Sequence, residues 1–87
     1  MKYQALKQLK TKIKLLKMCD TLAEAHRTIQ EAGGIFHSFS YVGGFPVYFK
    51  GGTQPFSIQG YYEPMGVVCS IPQKELDDFI FRDDLPL

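Results

Sequence analysis

Four residues in this 87-residue chain carry side chains from which a metal site or a nucleophile can be built: Cys19, His26, His37 and Cys69. By count they are a complete Cys₂His₂ set. Structural zinc sites take their ligands in close pairs, because one tight loop then fixes two donors together. Here no two of the four are closer than seven residues, so the spacing assigns no metal. A cysteine nucleophile needs a thiolate made by a neighbouring histidine or a helix N-terminus. Strand alternation turns Cys69 toward an apolar core, where a thiol is inert, and no third residue stands by to orient His37. Cys19 lies between two predicted helices and carries no motif.

The carboxylates and glycines give no better chemistry. Asp77-Asp78 and Asp83-Asp84 are adjacent pairs, and neighbours on a helix point to different sides. Phosphate-cradling glycines sit between a strand and a helix N-terminus, whereas Gly43-Gly44 and Gly51-Gly52 join strand to strand. The segment 43–49 lacks the aromatic signature of an RNA-recognition motif, since Gly44 and Pro46 hold the aromatic positions. The expectation is therefore of no catalytic residue, no metal, no cofactor and no small-molecule ligand.

Lysines offer a surface instead of a reaction. Lys7, Lys10, Lys14 and Lys17 fall at i, i+3, i+7 and i+10, which on a helix makes one stripe about 15 Å long at ~1.5 Å per residue. Such a stripe can track phosphates, so nucleic-acid binding is one candidate function. The net charge of +1 hides an asymmetry, with lysines crowding the first segment and Glu75, Asp77, Asp78, Asp83 and Asp84 the last. The pattern predicts a charge dipole.

The elements that would position these residues follow from periodicity. Tyr3, Leu6, Leu9, Ile13 and Leu16 recur at intervals of three and four, which predicts an amphipathic helix over 3–18. Thr21 and Glu24 form a capping box opening a second helix over 21–32, with Leu22, Ala25, His26, Ile29 and Ala32 buried. Gly33 ends it as the left-handed residue. Alternating aromatic and β-branched residues then predict strands over 35–42, 45–50, 54–61 and 66–71. Pro72 tolerates the first turn of a third helix over 72–81, capped by Ser70 with Gln73 and lined by Leu76, Phe79 and Ile80. Asp83, Asp84 and Pro86 form a polar tail.

The predicted fold class is thus α+β: an N-terminal helical hairpin, a four-stranded antiparallel meander and a short C-terminal helix, with all helices on one face of the sheet. The length suits one domain over 1–87. Register follows from parity, because opposed residues share a face. A two-residue turn at Gly51-Gly52 aligns Val47 with Phe56 and Phe45 with Ile58. A loop over 62–65 aligns Phe56 with Ile71, Ile58 with Cys69 and Gly60 with Val67. One face then carries Phe45, Val47, Phe49, Phe56, Ile58, Val67, Cys69 and Ile71. A two-residue turn at Gly43-Gly44 would align Ser38 and Ser40 with this face; a bulged turn at 43–45, preferred because it buries more apolar surface, adds Ile35, His37, Phe39 and Tyr41 instead.

The other face is predicted to be open, carrying Tyr48, Lys50, Ser57, Gln59 and Tyr61. Tyrosines flanked by small polar residues match the composition of an interface core. The favoured expectation is a non-enzymatic interaction module, an inhibitor or accessory subunit, whose partner is another protein or a second copy of itself. Composition sets the remaining bounds. Apolar residues at 45% and charged residues at 22% fit a folded domain rather than a disordered chain. No apolar run approaches a membrane span, the first residues mix lysines with leucines unlike a leader, and two cysteines are too few for a disulfide framework. These features fit a reducing cytoplasm of bacterial or phage type.

Overall fold

The chain opens on a β-hairpin, not the expected helical hairpin, in the computed structural model, which describes residues 1–51, 55–79 and 81. Strands β1 (Lys2–Gln8) and β2 (Ile13–Cys19) lead into helix α1 (Leu22–Glu31). There follow β3 (Ile35–Phe39), β4 (Pro46–Phe49), β5 (Phe56–Tyr62), β6 (Val67–Cys69) and a short helix α2 (Gln73–Asp78). The sheet is antiparallel throughout and runs β2-β1-β5-β4-β3, with β6 on β5. The expectations for Gly52, Ile80, Asp83, Asp84 and Pro86 lie outside the described residues.

The interior position of β1 explains why the helical pattern misleads. Leu, Lys, Gln and Ala are good helix formers, but helix propensities of ordinary residues span only ~0.7 kcal/mol and tertiary context overrides them. Against this, β1 forms ladders on both edges, with β2 and with β5. The supposed stripe is scattered: Tyr3 enters the core, Leu9 falls in the turn, where its N–H donates to Lys12 O at 2.8 Å, and Ile13 is exposed. Leu16 sits at the irregularity where the register shifts opposite Ala5 and Leu6.

Helix α1 starts where its cap requires. Thr21 Oγ1 accepts from Glu24 N–H at 3.1 Å, while the Glu24 carboxylate accepts from Asp20 N–H, also at 3.1 Å. The reciprocal bond of the box thus goes one residue earlier than expected. Gly33, at φ 95°, takes the left-handed conformation that ends the helix. Leu22, Ala25, His26 and Ile29 face the sheet. They pack there with Tyr3, Ala5, Cys19, Tyr48, Phe56 and Ile58, and Ile71, Leu76 and Phe81 close the same core.

Three registers depart from expectation in different ways. Tyr48, not Val47, pairs with Phe56, and Val47 pairs with Ser57. This one-residue shift inverts β4: Tyr48 is fully buried, while Val47 and Phe49 are half-buried on the opposite side. The β5–β6 pairing shifts by two, joining Gly60 to Cys69 and Tyr62 to Val67, so parity survives but Val67 lies beyond the helices and is exposed. In β3 the irregularity falls between Phe36 and Ser38, so Phe36 rather than Ile35 shares the side of Tyr48. Tyr41 and Ile35, expected inside, are exposed. Pro72 N-caps α2 without a side-chain bond, and the helix ends at Asp78.

Candidate binding face

Both helices lie on one side of the sheet, and the other side is built by the residues that alternate with the core. On β5, Ser57, Gln59 and Tyr61 alternate with buried Phe56, Ile58 and Gly60. Their cross-strand partners share their side: Leu6 and Val47 with Ser57, Gln4 with Gln59, Val68 with Tyr61. One strand further, Met18 pairs with Gln4 and Leu15 with Leu6. Ile13, Leu15, Met18 and Val68 are exposed there.

Three of the five residues expected at the site, Ser57, Gln59 and Tyr61, are therefore together on the uncovered face. The other two are not. Tyr48 is under α1, its hydroxyl against His26 Nδ1. Lys50 follows the outward Phe49 and so turns to the helix side, where its Nζ donates to Ala32 O at 3.4 Å, at the C-terminal end of α1. Cations are favoured at that negative helix end. The apolar residues of β2 were missed because they were assigned to a helix; their alternation with Lys14 and Lys17 was the available signal.

The middle of the face is shaped by Pro46. β4 covers Phe56 and Ser57 on one edge of β5, while β6 covers Gly60 to Tyr62 on the same edge. Ile58 and Gln59 lie between the two pairings, and Pro46, having no N–H, cannot extend the β4 ladder toward them. The notch opens into a hollow of about 290 Å³ lined by Val42, Phe45, Gln59, Val68 and Ile71. A second hollow of about 200 Å³ reaches Ile13, Val47 and Ser57. Phe45 and Gln59 line both and divide them.

The charged groups sit at the rim or on the helix side. Lys2 is ion-paired with Asp20 and reaches Glu63 at 3.8 Å. The hydrogen bond to Asp20 pushes the Lys2 ammonium up and holds the Asp20 carboxyl down. Lys17 pairs with Glu24 at 2.7 Å across to α1. The lysine stripe, an expectation that required a helix, does not exist. Lys7 and Lys14 are opposed across β1 and β2, with Lys7 Nζ 5.8 Å from the Phe56 ring centre, and Lys10 belongs to the hairpin turn.

The cysteines and histidines are placed separately. Among the described residues no three His, Cys, Asp or Glu side chains converge as a metal-holding group. Cys19 is buried beside Thr28 Oγ1 at 3.8 Å, and burial pushes its thiol pKa up. Cys69 is half-buried, its Sγ 3.6 Å from the Met1 sulfur. His37, expected inside, is exposed and stacked on Phe49, the ring centres 4.5 Å apart.

No described helix is long and apolar enough to cross a membrane. No family model matches the chain, and no curated protein or solved structure is significantly similar to it.

Proposed function

We propose that this chain is a protein-interaction module, an inhibitor or accessory subunit without an activity of its own, that docks through the uncovered face of its sheet. The carrying observation is that exposed Ile13, Leu15, Met18 and Val68 surround the polar but uncharged Gln4, Ser57, Gln59 and Tyr61. Interface cores are depleted in charge and enriched in aromatic residues and methionine, and this face has that composition. Phe45 and Gln59 line both hollows, which offer relief for a partner side chain.

The reading is tested by capture from the native host with wild-type chain and with the double variant Leu15→Lys/Gln59→Lys. Both positions are outside the helix-covered core, so the variant should keep its circular dichroism and unfolding midpoint. A partner retained by the wild type and lost by the folded variant supports the proposal. A partner held equally by both defeats it.

A further inference from the structure

We infer that the occupant of the uncovered face is a second copy of this chain, packed sheet against sheet as a two-fold dimer. The inference rests on the interaction reading above and names its partner. Three observations point to self-association.

The first is charge. A two-fold interface sets a patch against itself, so any charge near the axis meets its own sign. Here the central strands β1 and β5 bring Gln4 directly opposite Gln59, while Lys2, opposite Tyr61 on the same side at the end of β1, is neutralised by its ion pair with Asp20. An amide both donates and accepts, so Gln59 can bond to its own symmetry copy where a carboxylate or ammonium would be repelled. The centre of this face is self-complementary in that sense, and it offers no charge for a partner of opposite sign.

The second is area. Five strands at about 4.8 Å spacing, each contributing about 20 Å of length, give a face of roughly 500 Å² in projection. Counted on both copies, that is about 1,000 Å² in total, the lower bound for a specific interface. Two sheets stacked about 10 Å apart would interdigitate these side chains as a sandwich core does.

The third is the condition of one rival surface, the β2 edge. β2 is an edge strand, whose free backbone groups could pair with another copy. That edge carries Lys14 and Lys17 with Lys10 and Lys12 at the adjoining turn, and lysines on an edge oppose strand-to-strand pairing. The apolar side chains of the same strand, Ile13 and Leu15, are turned instead toward the uncovered face.

Sedimentation equilibrium of the full chain tests the inference, beside the single variants Leu15→Lys and Gln59→Glu. The wild type should be mainly dimeric at about 100 µM. Each variant should weaken the dimer by roughly 100-fold with unchanged circular dichroism. For Gln59→Glu the dimer should return as pH falls toward about 4 and the new carboxyl is protonated, a recovery that a folding defect would not produce. A wild type that stays monomeric to about 1 mM, or a dimer that both variants retain, overturns the inference. If the wild type is monomeric and the host partner is still lost from Leu15→Lys/Gln59→Lys, only the dimer falls. If the host partner is also retained by that variant, the interaction reading falls with it.

Discussion

The Tyr48 hydroxyl meets Nδ1 of His26 beneath the sheet, and both side chains are buried, Tyr48 completely. Around His26 the Phe79 and Phe81 rings stand edge-on, with centroids 5.2 and 5.8 Å away. Phe36 stacks on Phe81 at 5.0 Å and approaches Tyr48 edge-on. A polar contact inside an aromatic cluster is costly to break, because the low local dielectric strengthens it and no water replaces it. Tyr48→Phe is therefore expected to lower the unfolding free energy by about 1–2 kcal/mol. Tyr48→Ala, which also opens a cavity, is expected to lower it by about 3–5 kcal/mol. Urea titration reads both. Loss of binding by Tyr48→Phe without loss of stability would show that Tyr48 acts at the surface.

Gly60 is required by proximity alone. A Cβ at this position would stand 2.7 Å from Cys69 O and 3.1 Å from Cys69 Sγ, and the nearer atom belongs to the backbone of the paired strand. The clash can be relieved only by moving β6 away from β5. Gly60→Ala should cost about 1–3 kcal/mol and raise amide exchange in β6 and at the following Ser70 and Ile71. Ordinary exchange there would mean that the strand pair adjusts without separating.

What the sequence made legible was decided locally. The Thr21 cap and Gly33 stop place α1 within a residue at each end, since both are short-range hydrogen-bond or φ requirements. The turn after β5 is likewise nearly in place, and its two-residue slip keeps Ile58 and Cys69 on the core side. The first hairpin and the register of β4 depend on longer-range pairing. Leu, Lys and Gln at 6–17 suit either element, and only the neighbouring β5 makes β1 a strand. β4 meets β5 one residue out of the register that a two-residue turn at Gly51-Gly52 predicts, so Tyr48 and Val47 exchange faces. Half of the candidate face was legible, because Ser57, Gln59 and Tyr61 alternate with unmistakable core residues. The half on β2 was hidden under an apparent helix period.

Alkaline titration should single out Tyr3. It is buried in the sheet and its hydroxyl donates to Glu75, joining β1 to α2. Burial first, and the Glu75 carboxylate second, push its pKa up to about 12. An acid whose folded pKa is raised favours the protonated, folded state, so this contribution is intact below the unfolded value near 10 and is lost between about pH 10 and 12. Tyr3→Phe should flatten the fall of stability in that window and remove a component near 12 from the tyrosinate absorbance titration. Loss of a component at about 10 instead would place Tyr3 in water.

On the acid side the sign reverses. Lys17, through its hydrogen bond at 2.7 Å, and then the Asp20 N–H hold the Glu24 carboxyl below the usual range, while Lys2 does the same for Asp20. Carboxyls with depressed folded pKa values stabilise the fold above their unfolded values near about 4, and the contribution drains away as pH falls through the folded values. Both pairs are solvent-exposed, so their share is small and is screened by salt. Glu24→Gln keeps an oxygen that can accept from Asp20 N–H but removes the charge opposite Lys17. The variant should unfold with a shallower dependence on pH below about 4.5 than the wild type, and the difference should shrink in 1 M salt. Stability profiles by thermal melting at low and high ionic strength separate the two contributions. If Glu24→Gln instead matches the wild type at every pH and salt concentration, the cap oxygen is all that matters and the bridge to β2 carries no stability.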